Sequence, residues 1–488
     1  MTRRSKAEKV ATRTATDEER VAKVSTAGRG PAHDGWLSAG EHAALGKAAR
    51  KAAPLAAHAA WKPAPDRPDP IALLRSQDGA RVADLVPIRW GRMSVSPFTF
   101  YRGAALLMAS DLSTTPASGL RAQLCGDAHL MNFGLFAAPD RDLIFDVNDF
   151  DETLPGPWEW DVKRLAASVV IAARDRGFTA DQGRGAALAT VSSYRTWMAS
   201  YAGMDDRTVW YSRVTADETL AVAKKTWGMR TKGAAKIITQ ARTRDSLQAF
   251  DKLTTVVDGV PRFVEQPPLI AHLTAHQADL DTTGRHALAE YKRTLPDEWR
   301  VLLDRYAFVD LAFKVVGVGS VGTRDLVVLL MGRDDGDPLI MQLKEAGASV
   351  LEAYAGRSRY LNHGRRVVVG QHLMQAASDI FLGWVKTGGS PRRDFYVRQL
   401  HDLKGSFPID KARPAGLRVY GGLCAWALAR AHARSGDRMA IAAYLGKSDR
   451  FDRAIADFAE AYADQAERDF ALLEKAIKQG KIKVETGV

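Results

Sequence analysis

The sequence predicts an α+β protein in two lobes, a small antiparallel sheet beside a larger helical part. Apolar residues recur at helical spacing in long stretches on both sides of the chain, whereas residues 306–405 hold short β-branched runs separated by Gly-rich and Asp-Gly turns. Composition sets the scale: 488 residues, 46% hydrophobic and 26% charged, describe an ordinary globular chain with room for two or three compact units.

The elements follow in order. Residues 1–33 lack aromatics and carry eight Lys/Arg against four Asp/Glu up to Gly30, so they read as a disordered basic tail. Residues 34–305 are expected to form N-terminal helical segments and the large lobe, with order beginning near Trp36. An Ala-rich helix covers Glu41 to Trp61, and Pro63, Pro65, Pro68 and Pro70 then impose an extended connector. A helix covers Tyr101 to Leu112, another Trp158 to Arg174 after the punctuation Pro155-Gly156-Pro157, and residues 180–300 are mainly helical with a break from Gly259 to Pro268. The small lobe, 306–405, has strands at Phe313 to Val318, Leu326 to Met331 and Leu339 to Leu343. A helix at Ala348 to Tyr360 and strands at Arg366 to Leu373 and Phe395 to Leu400 complete it. Residues 406–488 return to helix, in Gly422 to Arg434 and Phe451 to Lys478, and are expected to rejoin the large lobe.

Several classes are excluded. No apolar run approaches the roughly 18 residues that cross a bilayer, and charges stand where a signal peptide needs its apolar region, so a cytoplasmic protein without membrane contact is expected. Cys125 and Cys424 are read as reduced packing thiols. The net charge of +12 suggests an anionic partner, but the short tail supplies +4 of it and signs mix elsewhere. That distribution argues against nucleic acid and leaves a small anion. The oligomeric state is not legible.

Chemistry concentrates in Cys125-Gly126-Asp127-Ala128-His129-Leu130-Met131-Asn132 and, after the apolar run Leu143 to Val147, in Asn148-Asp149-Phe150-Asp151. Phosphoryl transfer needs an acid to orient the acceptor hydroxyl and an amide plus an acid to hold magnesium. Asp127 is the candidate base, Asn132 the metal amide and Asp149 the metal carboxylate, with Asp146 and Asp151 as competing acids. His129 invites zinc, but no second His or Cys stands at a useful local spacing. Gly317-Val318-Gly319-Ser320-Val321-Gly322 follows a strand and runs into another, which suits a glycine hairpin over nucleotide phosphates better than a dinucleotide fold. The third strand delivers Lys344, costly to bury without an anion. Glu352 is the candidate that pins it, with Glu345 as competitor.

The run Cys125 to Asn132 resembles the His-Gly-Asp-x-His-x-x-Asn loop of aminoglycoside and choline phosphotransferases, with Cys125 in place of the first His. Asn148 to Asp151, continuing to Asp161-Val162, resembles their metal-binding segment. From about Met93 onward the chain is similar to the bacterial family called domain of unknown function 2252. The phrases that carry this are Ser96-Pro97-Phe98, Tyr101-Arg102-Gly103, Cys125 to His129, Asp149 to Asp161 and Val316 to Gly322. The resemblance implies a protein-kinase-like fold, with Asp127 and His129 catalytic, Asn132, Asp149 and Asp151 facing magnesium, and Gly317, Gly319, Ser320, Gly322, Lys344 and Glu352 serving ATP.

In an ordinary kinase the glycine loop and lysine come first, whereas here they follow the catalytic loop. Circular permutation accounts for that order, and two unrelated domains with coincidental motifs is the rival account. The expected activity is ATP- and magnesium-dependent phosphotransfer to an unidentified small-molecule hydroxyl. Nucleotidyl transfer and a non-catalytic ATP-binding scaffold are the alternatives.

Overall fold

Two strand pairs bring the motif loops together. A computed structural model describes residues 37–227, 235–236, 238–240, 246–272, 277–315, 317–334, 336–386, 393–400 and 405–487; the tail over 1–33, Val316 and Asp335 lie outside them. The fold is α+β. Helix α1 (Ala39–Ala52) starts on a Ser38–Glu41 capping box. Helix α2 (Val86–Met93) is followed by α3 (Pro97–Arg102) and α4 (Ala105–Leu112). One helix was expected over Tyr101 to Leu112; Gly103 divides it, packed so tightly that a Cβ there would lie 2.7 Å from the Met93 sulfur. Strand β1 (Arg121–Leu124) then leads into the first motif, and β2 (Phe133–Ala137) leaves it. Strand β3 (Leu143–Val147) delivers the second motif, and β4 (Leu154–Pro157) leaves that. Because β1 pairs with β4 and β2 with β3, both antiparallel, the two motif loops emerge side by side.

Helices α5 (Glu159–Asp175) and α6 (Ala180–Ala202) follow, α6 opening on a Thr179–Gln182 capping box. The expected break near Gly259 is a hairpin of β5 (Thr254–Val257) and β6 (Val260–Phe263). Its turn is Asp258-Gly259, both residues at positive φ (51° and 76°), the Asp-Gly signature of a tight hairpin.

The main sheet has six antiparallel strands in the order β11-β12-β10-β9-β8-β7. They are β7 (Ile270–Ala271), β8 (Ala307–Lys314), β9 (Asp325–Met331), β10 (Pro338–Ala346), β11 (Gly383–Lys386) and β12 (Asp394–Gln399). Along β9 the side chains alternate: Val328 and Leu330 join one apolar cluster with Phe308, Met341 and Phe395, and Val327 and Leu329 join another with Phe263 and Ile340. The sheet is thus covered on both faces.

Three expectations in this region fail. The strand expected over Phe313 to Val318 is instead β8 over Ala307–Lys314, which overlaps it by two residues. Residues 366–373, read as strand from their valines, lie in helix α7 (His363–Met374), capped by Asn362, whose side chain accepts from the Arg365 amide at 2.8 Å. Val367 and Val368 are buried against the helical core, and that packing outweighs their β preference. The helix expected over 348–360 shrinks to Glu352–Ala355, stopped by Gly356 at φ 101°.

The last third is helical: α8 (Pro414–Ser435), α9 (Arg438–Leu445) and α10 (Arg450–Lys478). Helix α8 runs through the core and is buried on nearly all sides from Val419 to Ala433, placing Leu417, Leu423, Trp426 and Leu428 in the cluster that also holds Leu124, Val147 and Leu165. At about 1.5–3 kcal/mol for each large side chain, this packing ties the C-terminal helix to the motif loops.

Candidate functional site

Gly126 opens the first loop at φ 83°, and a Cβ there would meet the Glu152 carbonyl oxygen at 2.4 Å, so a side chain is excluded on both grounds. The Cys125 and Gly126 amides donate to the Asp161 carboxylate at 2.9 and 3.1 Å, from the first turn of α5. The Asn132 side-chain amide donates to the Asp127 carbonyl at 2.8 Å, and the Asn132 carbonyl accepts from the Asn148 amide at 2.8 Å. The first bond closes the loop and the second fastens it to the next motif. Cys125 is a buried free thiol whose pKa burial pushes well up, so it packs rather than reacts.

Asp127 points into the space between the loops with its side chain 20% exposed. Arg164, buried in α5, donates from Nε to Oδ1 at 2.5 Å and from a second nitrogen to the same oxygen. Burial raises the Asp127 pKa, and the Arg164 charge opposes it without cancelling it. Asp127 is thus more basic than a free aspartate. Oδ2 faces His129 Nε2 at 3.7 Å. His129 itself is 3% exposed, and its Nδ1 accepts from the Met131 amide at 3.2 Å. Burial, with Arg102 and Arg164, holds its pKa well below the usual value. His129, expected among the catalytic groups, sits with Nδ1 engaged by the loop backbone and Nε2 toward Asp127.

The three acids of the second motif separate sharply. Asp146 is 1% exposed and bonded to Arg430 of α8 at 2.6 and 2.8 Å, which removes it from the candidates for metal. Asp149 faces the interior cavity, its Oδ1 accepting from the Asp151 amide at 3.2 Å and lying 4.0 Å from Lys344 Nζ. Asp151, expected as a second metal acid, accepts from Lys344 Nζ at 2.6 Å, from the Tyr396 hydroxyl at 2.7 Å and from the Ser320 hydroxyl at 3.4 Å. Burial favours its neutral form, but the Lys344 charge outweighs that and holds the pKa below the usual range. Lys344 is correspondingly held well above an ordinary lysine: burial opposes its charge, and Asp149 and Asp151 overcome it.

Glu352 does not pin Lys344. The short helix turns its carboxylate back to the Ser349 amide at 3.3 Å, so Asp151 takes that place. Glu345, the competitor, pairs with Arg324 at 3.1 Å and Arg393 at 2.6 Å. Gly317 and Gly322 take positive φ (70° and 92°) in the turn joining β8 to β9, and Gly319 packs over the Arg102 carbonyl. This hairpin is held from outside by the segment before α3. Arg92 donates to the Gly317 carbonyl at 2.5 Å, Arg81 to the Val321 carbonyl at 2.5 Å, and the Val82 amide to the Gly322 carbonyl at 2.8 Å.

Gly317, Ser320 and Lys344 on the sheet side share a cavity of about 330 Å³ with Asn148 and Asp149 on the motif side. That volume suits a small ligand. Arg398, on β12, lines it and donates to the Asn148 carbonyl and to Gln342, both at 3.2 Å. Among the described residues no three His, Cys, Asp or Glu side chains are arranged to hold a metal unaided. Asp149 lines the cavity, and Asn132 is fixed through its amide nitrogen to the Asp127 carbonyl, which leaves its oxygen as a donor; carboxylate and amide oxygens are the ligand type magnesium takes.

Reading the sequence missed Arg164, Tyr396, Arg398 and Asp325. A charged residue beside the apolar run Leu165 to Ala173 was a usable signal for the first; the others are defined by strand pairing. Asp325 stands opposite Lys344 in the ladder, 2% exposed, with neither carboxylate oxygen bonded among the described residues. Burial pushes its pKa up to about 8 against the pull of Lys344. An acid neutral when folded and ionised when unfolded loses stability as pH rises from about 4 to about 8. Asp325→Asn should therefore gain melting temperature over the wild type at pH 8 and little at pH 4; equal gains at both would show that Asp325 is ionised in the fold.

Taken together, fold and site define an α+β protein in which a glycine hairpin and a strand lysine meet two acidic loops over one cavity. Residues 81–476 match the family described as uncharacterized protein conserved in bacteria (DUF2252), and the chain belongs to that family. No curated protein and no solved structure matches it. No helix among the described residues is long and apolar enough to cross a membrane.

Proposed function

We propose that this protein is an ATP- and magnesium-dependent phosphotransferase of permuted protein-kinase-like fold, acting on a small-molecule hydroxyl. The observation that carries the reading is the meeting of Lys344 with Asp149 and Asp151 over the cavity that Gly317 and Ser320 also line. A glycine hairpin, then a lysine on the third strand, then a helix is the order of a kinase nucleotide lobe. The permutation has its own support: α8, which comes after the sheet in the chain, reaches the first motif through the Tyr420 hydroxyl, which donates to the Leu130 carbonyl at 3.0 Å and to the Phe133 carbonyl at 2.9 Å.

In this reading Asp127, oriented by Arg164, accepts the proton of the acceptor hydroxyl, and Lys344 exchanges Asp151 for phosphate oxygens. Asn132 and Asp149 would hold magnesium, whose chemistry is to neutralise charge on the phosphates. Tyr396 keeps Asp151 in reach as the counter-ion to which Lys344 returns.

Magnesium and ATP together are expected to raise the melting temperature, since a ligand that binds only the folded state stabilises it by mass action. Asp149→Asn should remove the magnesium-dependent part of that rise, as read by differential scanning fluorimetry with and without chelator. A full magnesium-dependent shift in the variant would refute the assignment of Asp149. Product mass, phosphate or adenylate gained, separates phosphoryl from nucleotidyl transfer.

A further inference from the structure

The cations around the motif loops are almost all committed. Lys344 is paired with Asp151, Arg164 with Asp127, Arg398 with Gln342 and the Asn148 carbonyl, and Arg366 with the carbonyls of Asp151, Thr153 and Gly347. Arg102 differs. It closes α3, and its Nε is buried without a hydrogen-bond partner among the described residues. A buried guanidinium nitrogen with no partner is costly unless an acceptor meets it.

Its place is fixed from two sides. The Arg102 carbonyl lies 3.5 Å from where a side chain on Gly319 would begin, so the glycine hairpin passes over it. The preceding Tyr101 carbonyl accepts from Arg164 at 3.1 Å, and Arg164 also grips Asp127. The Arg102 charge acts on both Asp127 and His129. The backbone at Arg102 thus joins the tip of the hairpin to the helix residue that grips the candidate base, and the Arg102 charge reaches that base.

We infer that Arg102, from a helix outside the motif loops and the sheet, binds the terminal phosphoryl group of the nucleotide and acts as a phosphoryl-stabilising arginine supplied in cis. The inference rests on the phosphotransferase reading. As the acceptor oxygen bonds to phosphorus, the bond from phosphorus to the bridging oxygen breaks and its electron pair leaves with ADP. The acceptor's proton passes to Asp127, and Arg102 donates to the equatorial oxygens throughout.

Calorimetric titration of the full chain with magnesium and either ADP or a nonhydrolysable ATP analogue tests this without an acceptor. The wild type should prefer the triphosphate by roughly tenfold or more, the scale of charge-assisted hydrogen bonds to one phosphoryl group. Arg102→Gln should lose that preference while keeping ADP affinity within about twofold. Arg102→Lys, which keeps the charge but not the fork, should retain part of it, and it serves as the test variant if the glutamine form does not fold. A variant that keeps the wild-type preference overturns the inference, as does a wild type that binds both nucleotides equally. A wild type that binds neither nucleotide removes the phosphotransferase reading first, and this inference with it.

Discussion

Asp127→Asn is expected to lower turnover by about 10²-fold or more, the usual worth of a positioned general base, and to leave nucleotide affinity nearly unchanged. The amide keeps the shape and can still face Arg164, but it cannot take a proton. Asp127 is not among the residues that line the cavity with Gly317, Ser320, Lys344 and Asp149, so binding and chemistry should separate. The measurement is ATP consumption with candidate acceptors beside a binding titration of the same preparation. Wild-type turnover in the variant would exclude Asp127 as the base, and a parallel loss of binding would make it a structural residue.

The largest stability effect is expected at Asp146. Arg430 is 0% exposed and its Nε and Nη1 have no partner among the described residues, so its charge depends on Asp146 and on the Met374 carbonyl at 2.7 Å. Breaking a buried ion pair from one side typically costs about 3–5 kcal/mol, a large share of the roughly 5–15 that hold a domain folded. Asp146→Asn should lose stability on that scale in urea unfolding, whereas Asp146→Leu combined with Arg430→Met should recover much of it. A loss below about 1 kcal/mol, the range of exposed pairs, would mean that Arg430 is hydrated.

Local order was legible in the sequence and long-range pairing was not. The strands ending near Met331 and Lys344 are set by neighbours a few residues apart, and β9 and β10 follow that pattern with shifted ends, whereas the strand before the glycines begins some six residues earlier than expected. The choice among Asp146, Asp149 and Asp151 depended on partners remote in the chain: Arg430 is 284 residues from Asp146, and Lys344 is 193 from Asp151. Nothing local distinguishes these acids. Glu352 opens a helix of one turn, and its carboxylate turns back to the Ser349 amide, a local contact that competes with any reach toward Lys344. The valines of α7 misled, since their propensity is weaker than the burial that decides their conformation.

The contacts of α8 also set a timetable for making this protein. Its Arg430 pairs with Asp146, its His432 approaches Asp161 at 3.3 Å, and its Ser435 accepts from the Gln123 amide at 3.2 Å, three partners synthesised far earlier. The separation of 284 residues between Asp146 and Arg430 corresponds to roughly 15–60 s of elongation. For that interval β1, β3 and α5 lack the helix that covers them, and Asp146 waits without its counter-charge. Until α8 is made, the first half therefore exposes apolar surface that only a late, distant segment covers, the condition under which long-range folds are exposed to aggregation.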